Sequence, residues 1–200
     1  MSLDANAFAP GLRRVVFLVA AANLAYFGVE FAVARAIGSV SLFADSIDFL
    51  EDASVNALIL LALGWSQTAR ARLGMALAGI LFVPGLAALW TAWEKFNAPS
   101  AAPDPRLLSL TGLGALAVNL ACAFALARFR NHGGGLAKAA FLSARNDTIA
   151  NVGIIGAGGI TGMTHSAWPD LAVGLAIAAM NADAAREVWT AARRESRPAP

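Results

Sequence analysis

From Leu73 to Trp93 no residue carries a charge. At 1.5 Å per residue, a helix of about 20 residues crosses the ~30 Å hydrocarbon core of a bilayer. Comparable apolar runs recur along the chain, parted by short polar segments, and this layout restricts the fold more than any other feature. Hydrophobic residues make up 58% of the chain and charged ones 14%. A soluble domain needs roughly a quarter charged residues to cover its surface. The runs are too long, and alternate too little, for barrel strands. A soluble helical bundle would be apolar on too many faces at once. An all-α, six-helix transmembrane bundle is therefore expected, as a single transmembrane domain over residues 1–200. Its spans are about 13–36, 39–64, 70–93, 106–129, 138–161 and 169–190.

The connectors carry their own signals. WEKFNAPSAAPDPR contains Pro99, Pro103 and Pro105, which forbid a continuous helix. RNHGGGLAK has three consecutive glycines and is expected to be flexible. Arg13 and Arg14 precede the first apolar block, but Glu30 interrupts that block without a cleavage site, so it reads as a retained helix rather than a signal peptide. Eleven basic residues fall on one side of the predicted bundle, including Arg13, Arg14, Arg70, Arg72, Arg128, Arg130 and Arg186. Arg35, Lys95 and Arg106 fall on the other, and Arg145 lies within helix 5. The positive-inside rule then puts both termini in the cytoplasm. These basic residues mark topology; no basic patch with interleaved aromatics indicates nucleic acid.

Within this apolar chain, SLFADSIDFLED at 41–52 gathers four acids. On a helical wheel Ser41, Asp45, Asp48, Asp52 and Asn56 form one polar stripe, with Glu51 at its flank. A charged acid in hydrocarbon costs several kcal/mol unless it meets water, a cation, protons or a basic partner. Helix 5 offers a companion in SARNDTIAN, where Ser143, Asp147 and Asn151 share a face. Asn146 flanks them and Arg145 points away. Facing pairs, Asp48 with Asp52 and Asp147 with Asn151 or Ser143, can surround one ion with three carboxylates and a neutral oxygen. Such oxygen-rich ligation suits divalent cations.

The remaining polar groups admit quieter readings. Glu30 and Asn23 are either supporting groups around the acids or ordinary helix contacts. Asp170, after Pro169, reads as a cap for helix 6. Glycines in helices 3 to 6 serve close packing or mark a hinge. Cys122 reads as a buried small apolar residue, and no CxxC pair exists. His132 and His165 read as loop residues outside any spaced metal motif. Trp65, Trp90, Trp93 and Trp168 suit an interfacial belt.

The stretches SVSLFADSIDFLEDASVN at 39–56 and AAFLSARNDTIANVGII at 139–155 resemble the cation diffusion facilitator, or cation efflux, family. The resemblance implies six spans with cytoplasmic termini. It also implies metal ligands at Asp48 and Asp52 on helix 2, and at the slots of Ser143 and Asp147 on helix 5. Ser143 stands where the family usually has histidine, so Asn151, Asn146 or water would complete the shell. Loss of an imidazole shifts preference from zinc toward harder ions such as manganese, iron or magnesium. Zinc, cadmium and cobalt stay open as cargo. The chain reads as a minimal member without a C-terminal cytoplasmic domain.

The implied function is divalent cation efflux from a cell membrane, the inner membrane in a bacterium, by proton-coupled alternating access. Asp45, Glu51, Arg145 and Asn146 would line the proton pathway or support the ligands. The implied partners are lipid, divalent cations and protons, with a homodimer implied by the family. No bound cofactor is expected. The rival reading is a non-transporting membrane scaffold with a degenerate site, motivated by Ser143 and Arg145. A membrane enzyme lacks a nucleophile, a His–acid pair or a zinc motif.

Overall fold

The computed structural model describes residues 10–61, 86, 89–97, 101–127 and 134–180, and side chains within the last stretch from Asp147 onward. The described residues form six helical segments. They are α1 (Pro10–Ile37), α2 (Val40–Leu61), α3 (89–97), α4 (Pro105–Ala127), α5 (Gly134–Thr164) and α6 (Trp168–Met180). Most of the third predicted span, the end of the sixth, and the basic residues Arg70, Arg72, Arg128, Arg130 and Arg186 lie outside the described residues. Several expected boundaries move, α1 beginning at Pro10 and α5 ending at Thr164. α3 runs on to Asn97, and α5 already begins at Gly134, inside the stretch expected to be a flexible linker. Gly134 and Gly135 thus enter the helix although each costs about 1 kcal/mol relative to alanine there.

Local chemistry sets the helix ends. Gly38, at φ 65°, closes α1, and the Ser39 N–H reaches back to the Ala34 carbonyl at 3.0 Å. This left-handed C-cap turns the chain at once into α2. Ser39 then caps α2, its Oγ accepting the Leu42 N–H at 3.1 Å. Asp104 caps α4 through the N–H groups of Arg106 and Leu107, at 2.8 and 2.9 Å, with Pro105 at the first helical position. His165, at φ 54°, ends α5, its N–H bonded to the Thr161 carbonyl at 2.8 Å.

α1 and α2 form one antiparallel hairpin, stitched by the ring pairs Tyr26–Phe49 and Phe31–Phe43. α4 and α5 form a second, and the two pack together through α1 against α4 and α2 against α5. One apolar cluster joins five helices through Ala34, Leu42, Ile47, Leu108, Ile154 and Ile177. A second holds α1 to α4 through Val15, Val19, Cys122 and Leu126. Small residues permit these approaches. A Cβ on Gly112 would sit 2.9 Å from Ile154 Cγ2, and one on Gly174 would sit 2.7 Å from Val40 Cγ1 and 2.8 Å from the Ser41 nitrogen. Both positions are packing glycines. Gly156 and Gly159 meet nothing within 4 Å and face open space.

The radial pattern inverts that of a soluble protein. Phe17, Leu110, Phe124, Ile149 and Met163 are exposed, whereas Asn23, Glu30, Asp45, Asn119, Asn151 and Thr161 are buried. Polar side chains thus face the bundle interior and apolar ones the lipid side. Two described helices, over Gly11–Ile37 and Pro105–Ala127, are long and apolar enough to cross a membrane. α2 carries four acids, Asp45, Asp48, Glu51 and Asp52.

Candidate functional site

Two buried polar centres occupy the bundle. The first lies where α2 begins. Asp170, fully buried on α6, accepts hydrogen bonds at Oδ1 from Ser39 Oγ (2.6 Å), Ser41 Oγ (2.6 Å) and Ser41 N–H (3.1 Å). Its Oδ2 accepts the Val40 N–H at 2.9 Å and lies 3.6 Å from Lys95 Nζ on α3. Asp170 was expected to cap its own helix, and it caps α2 instead. The free N–H groups of a helix start attract an anion from whichever neighbour presents one.

The second centre lies along α2. Asp45 is fully buried, and its Oδ2 accepts Asn151 Nδ2 from α5 at 2.8 Å. The Asn151 Oδ1 in turn accepts Asn119 Nδ2 from α4 at 3.2 Å. A chain of amides therefore crosses α4 and α5 to hold one carboxylate oxygen of α2. From α1, Glu30 is fully buried with its carboxyl in hydrogen-bonding range of Asp45. Among the described residues, neither Glu30 oxygen, nor Asp45 Oδ1, has a donor. Tyr26, one turn earlier on α1, gives its proton to the Thr111 carbonyl at 2.6 Å.

Further along α2 lie Asp48, Glu51 and Asp52, all partly buried. Asp147 of α5 stands opposite them, beside Asp52 and within electrostatic reach of Asp48, Asp45 and Glu51. Asn56 back-bonds to the Asp52 carbonyl at 2.8 Å and leaves its buried Oδ1 unpartnered. The structure thus brings Asp48, Asp52 and Asp147 to one interface. Asn151, expected beside Asp147 as a ligand, has its nitrogen directed to Asp45. Ser143, Arg145 and Asn146 belong to α5, but their side chains lie outside the described residues. Among the described residues, no three acidic, histidine or cysteine side chains converge as a ready-made metal shell.

The transmembrane domain of cation efflux proteins matches residues 16–194. The chain belongs to the cation efflux family. Members of that family are transporters rather than enzymes, and this cation efflux domain is a multi-pass membrane protein. No curated protein gives a match. The polar interior of α2 and α5 is thus the interior of a transport domain, and the apolar outer face is its lipid surface.

Two parts of this cation efflux domain escaped the sequence reading. Asn119 was not singled out, although it is the solitary amide of α4. The pairing of Glu30 with Asp45 was also missed; its signal was a lone acid inside the first span. Neither signal names its partner, because the partner lies on another helix.

Proposed function

We propose that the protein exports a divalent metal cation in exchange for protons, by alternating access around a site between α2 and α5. The observation that supports this reading is that Asp48 and Asp52 of α2 lie within electrostatic reach of Asp147 on α5 in a cation efflux domain. Three carboxylates in a water-poor interior repel one another and attract a doubly charged ion. Asp48, Asp52 and Asp147 supply the carboxylate oxygens, and Ser143, Asn146 or water completes the shell. Asn151 orients Asp45 instead of touching the ion. The absence of an imidazole favours a hard or borderline ion, manganese, iron or magnesium before zinc, cadmium or cobalt.

The cargo enters from the cytoplasm and displaces protons from these carboxylates. The α1–α2 and α4–α5 hairpins then rock as units, and protons from the far side release the ion. The excess of basic residues on one side supports cytoplasmic termini. In this reading residues 1–200 act as one transmembrane domain, in the inner membrane of a bacterium, as a homodimer.

A second reading, a non-transporting scaffold, draws on one observation: among the described residues no three ligating side chains converge. Reconstitution into liposomes separates the two. Manganese, zinc, cadmium, iron, cobalt and magnesium are offered singly under an imposed pH gradient. Transport predicts uptake of at least one ion, lost in Asp48→Asn and Asp147→Asn. Absence of binding and flux for every ion, with the fold intact by circular dichroism, establishes the scaffold.

A further inference from the structure

Glu30 is the acid that the α2–α5 site does not use. It projects from α1, is fully buried, and lies against Asp45. Three buried carboxylate oxygens, both of Glu30 and Oδ1 of Asp45, have no donor among the described residues. Two polar groups beside the pair are committed elsewhere. Asn151 Nδ2 holds the other Asp45 oxygen, and the Tyr26 hydroxyl holds the Thr111 carbonyl. The charged groups facing the pair, Asp48 from α2 and Asp147 from α5, are themselves acidic. The described ion pair, Lys95–Asp170, is closed on itself at the start of α2.

Two carboxylates are both acceptors and cannot hydrogen-bond each other without an intervening positive charge. In hydrocarbon that charge is not optional, because a doubly negative pair would stand without water or cation. We propose that Glu30 and Asp45 form a second cation position, distinct from the Asp48–Asp52–Asp147 group, which holds one small monovalent cation. That cation is a proton or a sodium ion. Two carboxyls and three free oxygens suit a single charge, whereas the three-acid group opposite suits a double one. The amide chain Asn119–Asn151 holds Asp45 by Oδ2 and leaves Oδ1 free of donors among the described residues. Because both positions share α2, filling one biases how that helix sits for the other. The pair therefore seats one monovalent cation in addition to the protons that the cargo displaces from Asp48, Asp52 and Asp147.

This inference rests on the transport reading for its role, but the occupancy itself can be tested apart from transport. Infrared difference spectra of the purified wild-type protein at neutral pH, with and without sodium, read the carbonyl stretch of a protonated buried carboxyl. A band present in both media and absent in Glu30→Gln identifies a proton. A band that appears only when sodium is withdrawn identifies sodium. No such band in either medium overturns the proposal.

The second arm measures manganese, or whichever divalent ion the liposome panel selects. Glu30→Gln is expected to change its binding less than threefold while reducing gradient-driven flux at least tenfold. Asp52→Asn is expected to abolish binding. Equal loss of binding in both variants makes Glu30 part of the cargo site and overturns the proposal. Unchanged coupling in Glu30→Gln does so as well. If no divalent ion binds the wild-type protein, the transport reading fails while the infrared result still decides whether the pair is occupied. Asp45→Asn serves as the second variant should Glu30→Gln not fold.

Discussion

Asp170 and Glu30 are both acids with no solvent exposure, buried in the same bundle, yet they are opposites. Asp170 is saturated, with two serine hydroxyls, two backbone N–H groups and a lysine around its two oxygens. Glu30 has no donor at either oxygen among the described residues. A saturated buried carboxylate is part of the scaffold: it ties α6 and α3 to the start of α2. An unsaturated one holds a place for something the polypeptide does not supply. Burial of an acid therefore says little about its role until its partners are counted.

The largest effect should follow from breaking the saturated centre. Asp170→Ala strands Lys95, two serine hydroxyls and two helix-start N–H groups, and should cost about 3–5 kcal/mol in an SDS-unfolding titration. A loss below about 1 kcal/mol would mean that water replaces the carboxylate, and the contrast between the two centres would collapse. Asn151→Leu comes next. It removes the donor to Asp45 and the acceptor of Asn119, for about 2 kcal/mol in the same titration. Because Asp45 is then free to turn away from Glu30, coupled flux should fall as well.

Gly174→Ala probes how closely α6 must approach for Asp170 to reach α2. Its new methyl would overlap Val40 and the Ser41 backbone, and about 1–2 kcal/mol should be lost. Glu30→Gln should be the mildest of the four for stability. Its amide supplies the donor that Asp45 Oδ1 lacks, so stability should change by at most about 1 kcal/mol, in the stabilising direction. A destabilisation as large as that of Asp170→Ala would show that Glu30 is a structural anchor, and the comparison would fail from the other side.

Some of this was legible in the order of residues. The spans of α1 and α4 follow from uninterrupted apolar runs, and Asp104-Pro105 announces the start of α4 by the chemistry of caps. Asp48, Asp52 and Asp147 stand out because acids in an apolar helix are costly, and their helical spacing puts them on inward faces. Asp170 was legible as a cap but not as the cap of another helix. Asn119 to Asn151 and Asn151 to Asp45 join positions 32 and 106 residues apart, and no local pattern encodes such pairings.

The amino-acid order by itself determined a helical membrane domain with acids inside its second and fifth spans, because hydrocarbon thickness and helical periodicity act on residues close along the chain. Only tertiary packing decided which of those acids are answered by donors and which are left facing each other. That outcome depends on how closely α1, α4, α5 and α6 approach α2, and a change of one or two ångströms between helices is enough to make or lose a hydrogen bond.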